Sequence, residues 1–438
     1  MTTGGGGLLS RLEGSARMLA LVKLANVGLI LIWGFAVTFV FVRVLPLVEF
    51  QAFLLLVAFG NFTISAEFGL TSIIYARLRH HWLDESGAPG GFRLEEMGVL
   101  FLFLATLIAG ASALLVGAIL LGWLDTAMPL LFLLFFLSAC LNLPALLAKR
   151  ALAAIDGNLL WELLDCGRRL ITIALLLAVL AGLDARLSVA LQVAVSILVI
   201  GYAIALLHRR LGMSARHWTA FRAGSRHVRA HYLGDIGASA AFTLTEIVAY
   251  NGPYFTIALA TSDARPMLVF DFLFKMARAL SMTVRAMVEA ALPRITRAFH
   301  AGDAMRLRQI VTRALAAGLL LAGGASAALL LGGRELFALL FDGKAEIGMV
   351  EIALICATLA ALALVCVSVY VQSALGRFRH LLGRSIPFLA GSLASVPLAM
   401  LGGARFDLLF LAFYGLTLFG TAALHGLSLR RLVRSARP

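Results

Sequence analysis

A helix that crosses a bilayer needs about 20 mostly apolar residues, and this chain supplies such a stretch twelve times. The windows lie at roughly 18–43, 47–74, 97–121, 128–148, 159–181, 187–207, 233–260, 267–293, 313–332, 347–374, 382–402 and 407–429. In hydrocarbon every backbone N–H and C=O must be satisfied within the protein, so each window is predicted to be a helix. The expected fold is all-α and membrane-integral. The chain is 61% hydrophobic and 14% charged, whereas soluble domains are about 45–50% apolar and about 25% charged. That excludes a soluble enzyme or a soluble nucleic-acid binder. The net charge of +14 is then read as a topology signal, because basic residues collect on cytoplasmic loops.

Placing the N-terminus in the cytoplasm tests this. With Lys23, Arg43, Arg313 and Arg384 assigned to the membrane face nearest their window end, 26 of the 37 Lys and Arg residues fall on the cytoplasmic side and six on the far side, and Arg168, Arg169, Lys275, Arg278 and Arg285 stay within the spans. Both termini are therefore expected in the cytoplasm of a multi-pass protein. The start, MTTGGGGLLSRLEGSARM, reads as a lead-in to the first span, because the apolar run after it is too long for a cleaved signal. The most basic connector, HRRLGMSARHWTAFRAGSRHVRAHY at 208–232, falls after the sixth window. It divides the chain into a six-helix lobe at 1–207 and a second at 233–438. With an even number of spans each, both lobes enter from the same side, as in a parallel repeat. The connector is either a helix lying on the anionic leaflet or a plain topology anchor.

Several functions are excluded. Far-side loops are short, so no catalytic domain sits outside the membrane. No GxxxxGK[ST] stretch is present, so the chain has no ATP-hydrolysing loop. Cys140, Cys166, Cys356 and Cys366 lie in apolar runs with no CxxC spacing and read as inert thiols. No catalytic residue, metal ligand or cofactor is expected.

The eighth window, FDFLFKMARALSMTVRAMVEAALPRI (270–295), holds Asp271, Lys275, Arg278, Arg285 and Glu289. At about 100° per residue all five fall within roughly 40° of one helix face. At about 1.5 Å per residue the stripe is roughly 27 Å long, nearly the hydrocarbon depth. A charge at the bilayer centre costs at least about 2.5–3.5 kcal/mol, so the stripe must face protein or water. Two readings stand. It is the wall of a solvated cavity, or a structural ladder in which Asp271–Lys275 and Arg285–Glu289 neutralise each other at i,i+4. The seventh window carries a matching face of Asp235, Ser239, Glu246 and Tyr250, and its YNGPYF (250–255) puts a Gly-Pro inside the span. Two roles stand for Glu246: an ion pair with Lys275 or Arg278, which would steady the stripe, or a site left open for binding. In the first half, Glu162, Asp165 and Arg169 share a face near one end of the fifth window and are expected to snorkel to the interface. A cationic cavity favours an anionic cargo, since Arg forks match phosphate oxygens.

The stretch FVRVLPLVEFQAFLLLVAFGNFTISAEFGLTSIIYARL (41–78), with Arg43, Leu45, Phe50, Glu67, Gly69, Leu70 and Arg77, resembles polysaccharide flippases of the O-antigen type. These belong to the multidrug/oligosaccharidyl-lipid/polysaccharide exporter superfamily. The stretch departs from the family pattern at Pro46 and Gln51. A second likeness is ALPRITRAFHAGDAMRLRQIVTRAL (291–315). The resemblance implies two six-helix lobes around a central cavity, working by alternating access in a bacterial inner membrane. The implied cargo is an undecaprenyl-diphosphate-linked oligosaccharide for surface polysaccharide such as O-antigen lipopolysaccharide, delivered among membrane lipids to a polysaccharide polymerase. Lys275, Arg278 and Arg285 would contact the diphosphate, and Glu246, Asp271, Glu289 and Glu67 would serve as counter-ions or coupling sites. The alternative is an ion-coupled small-molecule antiporter of the same fold, in which Glu67, Glu246 and Asp271 matter most. A membrane-embedded transferase would have only Glu162 and Asp165 to work with.

Overall fold

The computed structural model describes residues 16–65, 70–82 and 92–435. Among these every regular element is helical. Within the described residues all twelve apolar windows map onto helices. In the first half these are α1 (Ala16–Val44), α2 (Leu47–Ser65) with α3 (Leu70–Trp82), α4 (Glu95–Leu120), α5 (Pro129–Cys140) with α6 (Asn142–Ala154), α7 (Asn158–Ala178) and α8 (Ala185–Arg210). A short α9 (Ala215–Thr219) leads into α10 (Phe221–Ala260), α11 (Arg265–His300), α12 (Ala304–Phe341), α13 (Met349–Ala374), α14 (Phe378–Met400) and α15 (Phe406–Ser435). The lead-in at 1–15 and Glu67 lie outside the described residues, as do the side chains of Asp235 and Ser239.

Eight of the described helical stretches are long and apolar enough to cross a membrane by composition alone. The windows that fail this count include those on α7 and α11, where charged side chains interrupt the apolar run, and on α10, where polar residues and Glu246 do. The outer faces agree with a lipid surround. Leu259 and Leu331 are 89% and 87% exposed, which a soluble monomer would not present in such number.

The chain folds as two compact units. The first takes in the chain up to Val44 and Phe59–Ala240, and the second Leu45–Ala58 and Ala241–Pro438. In the first, α1 packs along α7, α7 on α8, α3 on α6 and α5 on α8. In the second, α13 is the central helix, with α11, α12 and α15 around it and α14 packed on α15. The segment 45–58 is tied into the second unit by Lys344, whose ammonium donates to the Leu45 carbonyl at 3.2 Å. Two helix starts carry side-chain caps. Asp184 accepts from Leu187 N (2.9 Å) to start α8, and Asp303 accepts from Arg306 N (2.9 Å) to start α12. Such caps satisfy N–H groups that a helix start leaves free. Gly302, at φ +67°, makes the reversal before Asp303 possible because it carries no Cβ.

The basic connector does not lie free. Trp218 donates its indole N–H to His208 Nδ1 at 3.1 Å and packs its ring 5.8 Å from Phe101 on α4. Gly98 allows this contact, since a Cβ there would sit 2.8 Å from the Trp218 carbonyl oxygen. Next to it the fully buried Glu96 accepts from Arg77 (2.9 Å), while His227 Nε2 lies 3.1 Å away. The connector is thus docked on the start of α4 within the first unit.

The Gly-Pro of the seventh window does not break its helix. Pro253 sits inside a continuous α10. Proline lacks the N–H that would have bonded the carbonyl four residues back, which is that of Ala249. Ser392 on α14 replaces it, donating its hydroxyl to the Ala249 oxygen at 2.5 Å. Gly252 lets α14 come close, since a Cβ there would lie 2.7 Å from Leu393 Cδ2. Ser392 is completely buried. Ser392→Ala is therefore expected to orphan a buried carbonyl and lower stability by about 1–3 kcal/mol. Thermal unfolding of the purified variant in detergent checks this, and wild-type stability would show that the carbonyl finds another donor.

Candidate functional site

The charged stripe lies on α11 in the second unit. Its two ends are built differently. Asp271 is 1% exposed, forms an ion pair with Lys275 one turn on, and accepts the Tyr254 hydroxyl at 2.7 Å. Tyr254 is held edge-on to Phe270 at 4.8 Å, and Phe270 in turn meets Phe410 and Tyr414. The aromatic packing seals this pair off, so each charge depends on the other. At the opposite end Arg285 Nε donates to Glu289 at 2.8 Å, and both side chains are about half exposed, at 52% and 53%. The Arg285 guanidinium also faces the Tyr370 ring, 5.8 Å from its centroid. Tyr370 is steadied by a 2.9 Å hydrogen bond with Ser281.

Between these pairs stands Arg278. It is exposed, and it forms no hydrogen bond or ion pair among the described residues. The stripe therefore resolves into a sealed pair, an exposed pair and one unpaired guanidinium.

Glu246, on α10, does not pair with Lys275 or Arg278. Lys275 is already taken by Asp271, which lies one turn away on its own helix and needs no partner from across a gap. Glu246 is half-buried and forms no ion pair or hydrogen bond among the described residues. Its electrostatic neighbours are Tyr250, Tyr370 and Cys366. Tyr250 packs edge-on to Phe388 at 5.1 Å. The site thus holds an unpartnered carboxylate and an unpartnered guanidinium, with Tyr370 adjoining both the Arg285 end of the stripe and Glu246.

The first unit contains a charged knot that sequence reasoning placed at the interface. Glu162, Asp165 and Arg168 are buried instead, and Arg169 is half-buried. Asp165 accepts from Arg168 (2.7 Å), Arg169 (3.0 Å) and Asn26 (2.9 Å), and Asn26 also donates to Glu162 at 2.7 Å. Lys149 reaches Glu162 at 2.8 Å. Arg168, only 6% exposed, extends to Ser196 and Asn142 at 3.4 and 3.3 Å. Snorkelling fails here because the carboxylates and Asn26 lie at hand, and mutual pairing satisfies more donors than a reach to water would. Asn26 and Lys149 were missed, since their partners lie far along the chain and carry no local signal. The four cysteines are free; Cys140, Cys356 and Cys366 are buried and Cys166 is half-buried.

No protein-family model and no curated protein matches the sequence. Solved structures do match in shape over nearly the whole chain. A eukaryotic MATE transporter, AtDTX14, shares 16% identity at a TM-score of 0.66, covering 98% of each chain. The Vibrio cholerae MATE transporter VcmN in its bent form shares 17% at 0.61, again covering 98% of each. An inward-facing multidrug resistance MATE family transporter of the MOP superfamily shares 13% at 0.67, covering 95% of this chain and 98% of its own. At such identities the likeness concerns the backbone, and the backbone fold of this chain is that of the MATE transporters.

Proposed function

We propose that the protein is an ion-coupled antiporter that moves small molecules across a membrane by alternating access, with Glu246 as the coupling carboxylate. The observation that carries this reading is Glu246 itself, a carboxylate within a membrane-spanning helix that no cation of the protein neutralises among the described residues. Ionisable groups at such depth are costly and are kept for function. A proton or a small cation arriving from solvent would supply the missing partner, and its release would drive the opposite step of the cycle. The fold supports the alternating-access part, because structures sharing it are described in inward-facing and outward-facing conformations. Both termini in the cytoplasm belong to the same reading and rest on the Lys/Arg distribution, while a bacterial inner membrane is what the flippase resemblance implies.

The test uses proteoliposomes under an imposed pH or sodium gradient, with uptake of a fluorescent amphipathic dye as the readout, ethidium and an anionic fluorescein in parallel. Glu246→Gln is expected to cut gradient-driven uptake at least tenfold while leaving insertion and elution unchanged. Gradient-driven uptake at the wild-type rate in this variant would overturn the role of Glu246.

A second reading is favoured by Arg278. An exposed, unpaired guanidinium suits a diphosphate headgroup, so the chain would translocate an undecaprenyl-diphosphate-linked oligosaccharide, with Arg278 and Arg285 as headgroup contacts. In the same vesicles, leaflet transfer of a fluorescent lipid-linked oligosaccharide that vanishes in Arg278→Gln, without any gradient-driven dye uptake by the wild type, selects this reading over the antiporter.

A further inference from the structure

At one end of the second unit a cavity of about 880 Å³ opens between α12, α13 and α15. That size falls within the range of sites that enclose small molecules, about 300–1,000 Å³. Its lining divides by chemistry. Arg308 on α12 and Arg430 and Arg434 on α15 supply three guanidiniums, all exposed, and Thr312 adds a hydroxyl. The remaining wall is apolar, with Val311 and Leu315 from α12, Leu364 from α13, and Leu429 and Val433 from α15. No acidic residue lines the cavity, and none of the three arginines has an ion pair among the described residues. Arg430 and Arg434 stand at i,i+4, so their side chains share a face and converge on one anion. Neither stripe charges nor Glu246 take part, so the cavity is separate from the candidate transport site.

Three unneutralised guanidiniums together repel one another unless an anion joins them. A soluble anion would use only the cationic part and leave the apolar wall wet. A molecule with a phosphate head and a hydrocarbon tail satisfies both parts at once. By the Lys/Arg distribution, this end of α12 and α15 is the cytoplasmic end, and basic pockets between spanning helices on that side suit anionic headgroups. We infer that this cavity is a binding site for an anionic phospholipid of the cytoplasmic leaflet. The phosphate sits among Arg308, Arg430 and Arg434, and an acyl chain lies against Leu364 and Leu429. A lipid held there bridges α12 to α15 and would couple leaflet composition to the packing of the second unit.

The test is binding of a fluorescent short-chain phosphatidylglycerol to the purified full-length protein in neutral detergent, followed by anisotropy. Unlabelled phosphatidylglycerol is expected to displace the probe. Phosphatidylcholine of equal chain length should compete at least tenfold more weakly, and inorganic phosphate should not compete. The triple variant Arg308→Gln/Arg430→Gln/Arg434→Gln should bind at least tenfold more weakly, whereas Arg334→Gln/Arg405→Gln, which removes charges outside the cavity, should bind as wild type does. Gly426→Leu provides an independent arm. A Cβ at Gly426 meets only the Leu364 methyls at 3.9 Å, so the backbone tolerates it. The larger side chain fills the apolar floor with all three charges intact, and it too should weaken binding severalfold. Should the triple variant fail to fold, Gly426→Leu decides alone. Undiminished affinity in the folded variants overturns the inference. Equal competition by phosphatidylcholine overturns it in favour of a general lipid surface, and displacement by inorganic phosphate overturns it in favour of a soluble anion.

Discussion

Asp165→Asn is expected to destabilise the first unit by about 3–5 kcal/mol, the cost of stranding buried charge. The reason is local arithmetic. The knot joins two carboxylates, Glu162 and Asp165, to three cations, Lys149, Arg168 and Arg169, so its formal charge is +1. Asp165 is the hub, since both arginines and Asn26 donate to it. An Asn of the same shape offers one acceptor oxygen instead of two and no charge, and it leaves the knot at +2. Arg168 cannot escape to water, because its side chain is 6% exposed. Arg169 has more freedom at 17%, so Arg169→Gln, which neutralises the knot, should be much milder. The double variant Asp165→Asn/Arg169→Gln should recover part of the loss, as contacting residues are not additive. Thermal unfolding of the four proteins in one detergent measures all of this. Equal stability of Asp165→Asn and wild type would mean that water enters the knot and solvates the arginines.

The same knot shows how far the sequence could be read. That the fifth window was helical, and that Glu162, Asp165 and Arg169 shared a face, followed from the 3.6-residue period. That the face was buried did not, because its partner Asn26 lies 136 residues away from Glu162 and a single Asn in an apolar run carries no signal. The apolar windows were legible because lipid imposes one length and one backbone solution on every span. The stripe on α11 was legible for the same reason, and so was the split into two i,i+4 pairs and a leftover arginine. Periodicity gives the face of a helix but not what stands opposite. Whether Glu246 pairs with the stripe or stands apart from it could not be read, and the hydroxyl of Ser392 that mends the proline gap in α10 went unseen. The motifs at 41–78 and 291–315 resemble polysaccharide flippases, whereas the similar solved structures are MATE transporters. The backbone plan was readable, but the cargo depends on a few side chains whose partners are set by tertiary packing.

The two ion pairs of α11 are expected to differ severalfold in what they contribute, although both have the same i,i+4 spacing on the same helix. Asp271→Asn should cost about 3–5 kcal/mol, because Lys275 then keeps its charge in a sealed site with no counter-ion. Its side chain is 13% exposed, and Asp271 is 1% exposed. The Tyr254 hydroxyl would still find an acceptor in the Asn amide, so the loss reports the charge and not the hydrogen bond. Asp271→Asn/Lys275→Met should therefore regain most of the stability, since a matched apolar side chain in place of a buried ion pair is often tolerated. Glu289→Gln should change stability by about 0–1 kcal/mol, the usual value for a pair whose members remain solvated. The comparison is made by thermal unfolding of the unliganded protein at low and high salt, with only the Glu289 effect expected to fade as salt rises. If both single variants lose stability equally, the stripe is one continuous ladder and Arg278 belongs to it. If they differ as expected, Asp271 and Lys275 serve the fold. The cations left to meet cargo are then Arg278 and the loosely held Arg285, and a transport defect in Arg278→Gln can be read as loss of contact and not of structure.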